Sequence, residues 1–111
     1  MGERRITRIN DEIHRCISEI IRLEIRDPRV SSVTSVTKVK TSVDLEHCIV
    51  YISALGDNAD ETIKILNKAA GYIRKLIAQR INLRVTPEFK FVLDDSIEYS
   101  AKINNLLKKI Q

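Results

Sequence analysis

NADETIKILNKAAGYIRKLIAQRI, residues 58 to 81, is the stretch on which the fold turns. Its apolar positions, Ile63, Leu66, Ala69, Ala70, Ile73, Leu76, Ile77 and Ile81, recur at three- and four-residue steps, the period of one face of an α-helix. Asn58 can cap that helix with Glu61 three residues on, and Asp60 and Glu61 suit its positive N-terminal end. Gly71 is the anomaly, because glycine inside a helix costs about 1 kcal/mol relative to alanine. A glycine there lets the helix bend and brings its backbone close to a partner, or else permits close packing on another helix.

Strands flank this helix. Cys48 to Leu55 (CIVYISAL) is apolar on both parities, and Phe89 to Leu93 (FKFVL) follows the break at Pro87. Upstream, Val33, Thr37, Val39, Thr41 and Val43 share one parity in a β-branched run, so residues 33–43 read as a strand. Asp44-Leu45-Glu46 is short enough to join it to the next strand as a hairpin. Ile6, Ile9, Ile13, Cys16, Ile17, Ile20 and Ile21 mark an amphipathic helix from about residue 3 to 25, ending at Asp27-Pro28 because the residue before proline avoids the α region. Asp95 and Glu98 suggest a cap for a last short helix, Ser96 to Lys109. A hairpin followed by a helical crossover returns the third strand to the same sheet. The expected fold is a single α+β domain over residues 1–111, two layers, with helices on one face of a three-stranded sheet.

Composition limits the function. Hydrophobic residues make up 43% of 111 residues and aromatic residues 5%, so one core built from Ile, Val and Leu is expected. The charged N-terminus does not read as a signal peptide, and no apolar run is long enough to cross a bilayer, so a cytoplasmic setting with no membrane partner is expected. His14 with Cys16, and His47 with Cys48, are wrongly spaced for zinc, since two positions on a helix and neighbours in a strand point apart. Neither a metal nor a cofactor is expected. No Gly-rich phosphate loop, HExxH or Cys-x-x-Cys is present, and the adjacent Asp94 and Asp95 diverge in extended chain. The reading is a binding protein, not an enzyme, with no small-molecule substrate.

Charge shows where it binds. The net charge is +4, but Lys64, Lys68, Arg74, Lys75, Arg80, Arg84 and Lys90 stand against Glu88 alone within residues 64–90. Such clustering suits an anionic polymer. Lys68, Arg74, Lys75, Arg80 and Arg84 are the primary candidates for phosphate contact, and Arg4, Arg5 and Arg8 the secondary ones.

Three colinear pieces then resemble a known family: Arg26-Asp27-Pro28-Arg29-Val30, the run Val43 to Tyr51, and AAGYIRKLIAQRINLRVTPEFKFVLDDSIEYS, residues 69–100. The chain resembles ribosome-binding factor A. That resemblance implies a type II KH-like fold of order α-β-β-α(kinked)-β-α. It also implies that the nucleotide-gripping GxxG loop of ordinary KH domains is replaced by a kink, carried here by Ala69, Ala70 and Gly71. It further implies a monomer that binds the immature small (30S) ribosomal subunit and its 16S rRNA, without catalysis, in late maturation and 5′-end rRNA processing, notably in the cold. Two other readings stay open. One is a free-standing KH-like binder of single-stranded RNA, with Tyr72 as its exposed aromatic. The other is a protein-interaction module using the sheet's open edge or the first helix.

Overall fold

The structure is a computed structural model that describes residues 2–25, 27–30, 34–54 and 58–94. Six elements follow one another: α1 (Gly2–Leu23), β1 (Thr34–Thr41), β2 (His47–Ala54), α2 (Ala59–Lys68), α3 (Ala70–Arg80) and β3 (Glu88–Leu93). The expected last helix, Ser96 to Lys109, and its cap lie outside the described residues. The sheet is mixed, in the order β1-β2-β3, with β1 antiparallel and β3 parallel to β2.

The isoleucine stripe of α1 drives assembly. Ile13, Ile17 and Ile20 are fully buried, with Ile9, Cys16 and Ile21 beside them. They pack with Val39, Cys48, Val50, Ile52, Phe89 and Phe91 from the sheet and Leu66, Ile73 and Ile77 from α2 and α3. Burying each such side chain stabilises by roughly 1.5–3 kcal/mol. Cys16 and Cys48 are buried in this core as free thiols. Desolvation pushes the Cys48 thiol up to about 11 and raises that of Cys16 as well.

Local chemistry sets the turns. Past α1, the Asp27 carboxylate accepts three hydrogen bonds from Arg29, from its main-chain N–H and from both arms of the guanidinium at 2.8–3.0 Å. These bonds across Pro28 hold the Asp27 carboxyl down at about 2. In the β1–β2 hairpin Leu45 takes a left-handed conformation (φ 63), and Asp44 Oδ1 accepts from the Glu46 N–H and the Ser42 hydroxyl. A register shift between Val36 and Lys38 makes a bulge at Thr37, whose hydroxyl donates to Asp94 Oδ2 at 2.5 Å.

One expectation, the side-chain cap, is not met. Asn58 does not cap α2 with its side chain. Its backbone (φ −97, ψ 11) is already close to helical rather than extended, so only its carbonyl serves, accepting from the Thr62 N–H at 2.8 Å. Asp60 and Glu61 still lie in the first turn, where the helix dipole favours them. The helix expected to kink is divided in two at Ala69 (φ −86, ψ 1), and Lys68 and Lys75 therefore do not lie on one continuous helical stripe.

Both outer strands are held by an asparagine. Asn67, in the last turn of α2, accepts from the Phe91 N–H (2.8 Å) and donates to the Phe91 carbonyl (2.9 Å). Asn10 of α1 accepts from the Thr41 N–H (3.1 Å) and the Thr41 hydroxyl (2.5 Å). Edge strands carry outward main-chain groups that need partners, and these side chains supply them. Asn67→Ala strands both Phe91 groups against α2 and should lower unfolding stability by about 1–3 kcal/mol, read by denaturant melts. A surface change such as Lys64→Ala should stay within about 0.5 kcal/mol.

Candidate nucleic-acid interface

The break at Ala69 organises the basic side chains. Lys64 and Lys68 are one turn apart on the exposed face of α2. On α3, Gly71 and Lys75 share the outermost line, with Tyr72, half of whose surface is exposed, beside them. Between the helices Ala69 offers no side-chain cap to α3, and no acidic residue lies in its first turn. The C-terminal end of α2 adjoins that start, so the two helix dipoles oppose each other there and the positive potential comes from the Lys68 and Lys75 side chains.

A Cβ built on Gly71 would meet nothing within 4 Å, and its φ is not left-handed. Close packing on α1 is therefore not the reason for the glycine, and the bend itself falls at Ala69. Gly71 instead leaves a bare patch of backbone on the surface between two lysines.

The remaining candidates divide. Arg84 is exposed in the loop joining α3 to β3. Arg74 directs its guanidinium at the Thr86 carbonyl (3.0 and 3.2 Å) and so fastens that loop just before Pro87, though the side chain stays exposed. Arg80 turns the other way: its Nη2 pairs with Glu24 Oε1 of α1 at 3.0 Å, and its side chain is only 35% exposed. That ion pair joins α3 to α1, so Arg80 is spent on the fold. Arg4, Arg5 and Arg8 are exposed on the first turns of α1, with Arg8 within 4.0 Å of Glu12. They belong to a separate region, carried on the turns before Asn10 and its contact with the end of β1.

Sequence reasoning missed another basic group, in which Lys38 and Lys40 join Lys90, a residue counted with the 64–90 cluster but not among the expected contacts. All three are exposed on the sheet face opposite the helices. Their shared parity was the available signal, but Lys38 and Lys40 fall in a net acidic segment, so a charge tally along the chain hid them. Asp94 accepts a hydrogen bond from the Thr37 hydroxyl. Among the described residues there is no cluster of three or more potential metal ligands, and no helix is long and apolar enough to cross a membrane.

The helix–strand–strand–helix–helix–strand order and the mixed sheet define a KH-like domain of type II, with the break at Ala69 in place of a GxxG loop. The chain belongs to the ribosome-binding factor A family, whose model matches residues 5–107. Ribosome-binding factor A of Lachnospira eligens is 47% identical over 106 residues, 94% of this chain and 82% of that one. The crystal structure of ribosome-binding factor A from Thermus thermophilus superposes with a TM-score of 0.71 at 25% identity, over 79% of this chain and 94% of that one. A homology model of the Thermus protein, fitted into the cryo-EM map of a 30S complex, is similar at a TM-score of 0.67 and 23% identity, covering 78% and 91%.

The open surroundings of Gly71 yield a test. Gly71→Ala should fold normally and be as stable as the parent, or more stable by up to about 1 kcal/mol, in thermal or denaturant melts. Destabilisation would show that the glycine is needed by the fold itself.

Proposed function

We propose that this chain is a non-catalytic assembly factor that binds the immature small (30S) ribosomal subunit and contacts its 16S rRNA. Membership of the ribosome-binding factor A family carries this reading, and the exposed lysines around the Ala69 break supply a physical means. Lys68 and Lys75, with Lys64 and Arg84, contact phosphates beside the uncapped start of α3, and bare backbone at Gly71 admits close approach. Arg4, Arg5 and Arg8 add a second, weaker set. Arg74 and Arg80 act mainly inside the protein, holding the loop and α1 that present this surface.

Such contacts position more than they specify, so the protein works by binding one rRNA conformation better than another. It acts in the cytoplasm as a monomer in late maturation and 5′-end rRNA processing, with greatest effect in the cold, where misfolded rRNA escapes slowly. Nothing in this action requires a cofactor or a reacting side chain.

Counterion release provides the test. Each phosphate contact contributes about 0.7 to 0.9 to the slope of log affinity against log salt. Lys68→Ala with Lys75→Ala should therefore weaken binding to purified small subunits and flatten that slope by about 1.4 to 1.8, with melting curves unchanged. Arg80→Ala should do the reverse, losing up to about 1 kcal/mol of stability with the Glu24 pair while leaving the slope intact. An unchanged slope in the double lysine variant would exclude the helix-break surface from the interface.

A further inference from the structure

Helices α1, α2 and α3 lie on one face of the sheet, and among the described residues nothing covers the other. Strand register arranges the bare face in rows. Lys40, Ile49 and Lys90 form one row across β1, β2 and β3, and Lys38, Tyr51 and Val92 form the next. The three lysines are exposed, while Ile49, Tyr51 and Val92 are half-buried in their pleats. With strands about 4.8 Å apart, Lys40 and Lys90 stand roughly 10 Å from each other on either side of Ile49. The Lys38 ammonium lies 5.9 Å from the centroid of the Tyr51 ring. Among the described residues no carboxylate pairs with any of the three lysines. The acids on this face stand at its ends, Glu88 within 3.8 Å of His47 and Asp94 bound to the Thr37 hydroxyl.

We propose that this open face is a second RNA-contact surface, which takes a single-stranded segment with one base stacked on Tyr51 and its phosphates on Lys38, Lys40 and Lys90. The chemistry selects that occupant. Ammonium groups around an aromatic and apolar centre match a ligand that has both regularly spaced phosphates and free π-faces. A duplex keeps its bases stacked inside, and an acidic peptide offers carboxylates but nothing for the ring. Exposed sheet aromatics are a recurrent platform for unpaired bases. The Lys38 ammonium lies over the Tyr51 ring, and with the lysine exposed this contact is weaker than base–aromatic stacking, so a base can replace it. The surface lies opposite the helix break, so the domain can hold two RNA elements, one on each side. The proposal rests on the ribosome-binding reading only for the identity of the RNA.

The test uses the full chain and a short fluorescein-labelled oligouridylate, in parallel with purified small subunits. Native protein should bind the oligomer in a salt-dependent way. Replacing Lys38, Lys40 and Lys90 together by Gln should flatten the salt slope by about 2, at about 0.7 per contact on a single strand. Tyr51→Leu should weaken oligomer binding by roughly 5- to 150-fold. Lys68→Ala with Lys75→Ala should cost oligomer binding less than the triple sheet variant does, which separates this surface from the one at the helix break. If a sheet variant folds poorly, an acetylation footprint of the native chain decides the matter, with Lys38, Lys40 and Lys90 protected by the oligomer. Absence of oligomer binding, loss only in the helix variant, or no protection of the three lysines would overturn the proposal. So would a sheet variant that binds the oligomer normally but loses the subunit, since the face would then belong to a ribosomal protein.

Discussion

The pair of hydrogen bonds between the Asn67 carboxamide and the Phe91 main chain is the constraint on which the domain's geometry depends. A three-stranded sheet has two edges for one interior strand, and each edge has main-chain groups that water or a partner must satisfy. Asn67 fixes the last turn of α2 to β3. Two residues later the chain leaves helical geometry at Ala69, and α3 then carries Ile73 and Ile77 into the core and Arg80 to Glu24 of α1. A straight helix over residues 59–80 would run roughly 33 Å and could not serve both contacts as well. The break therefore has a structural cause, and the surface around it is a consequence.

That origin explains how basic side chains divide their labour. Arginine's planar fork suits fixed hydrogen bonds, and Arg29, Arg74 and Arg80 each use it within the chain, to Asp27, the Thr86 carbonyl and Glu24. The described lysines form no salt bridge, and Lys64, Lys68 and Lys75 project from the helices as mobile point charges. Charges of that kind suit a phosphate backbone, where affinity comes from counterion release rather than from a single geometry.

Much of the architecture was legible in the sequence because hydrophobic period carries it. The isoleucines of α1, the alternation in β1 and the hairpin before β2 all report burial directly, and the order of elements follows. What escaped were features made by single polar residues across long separations. Asn67 and Phe91 are 24 positions apart, Asn10 and Thr41 are 31, and no local pattern marks either pair. Arg80 read as one more member of a charge cluster, because its partner Glu24 lies 56 positions upstream. Asn58 fits the cap motif, yet its near-helical backbone leaves the side chain unused. The sheet lysines were hidden for another reason, since position along the chain says little about which charges share a face.

If the surface around the Ala69 break lies against rRNA in the small subunit, directed cleavage from that surface will report it. Cys16 and Cys48 are buried and their thiols raised, so a cysteine placed at exposed position 75 by Lys75→Cys can be labelled selectively with an iron–EDTA hydroxyl-radical source. With the labelled protein bound to purified small subunits, discrete strand breaks should appear in 16S rRNA, clustered around one site. Retained binding with no cleavage above that of the unattached reagent would mean that this surface faces away from rRNA.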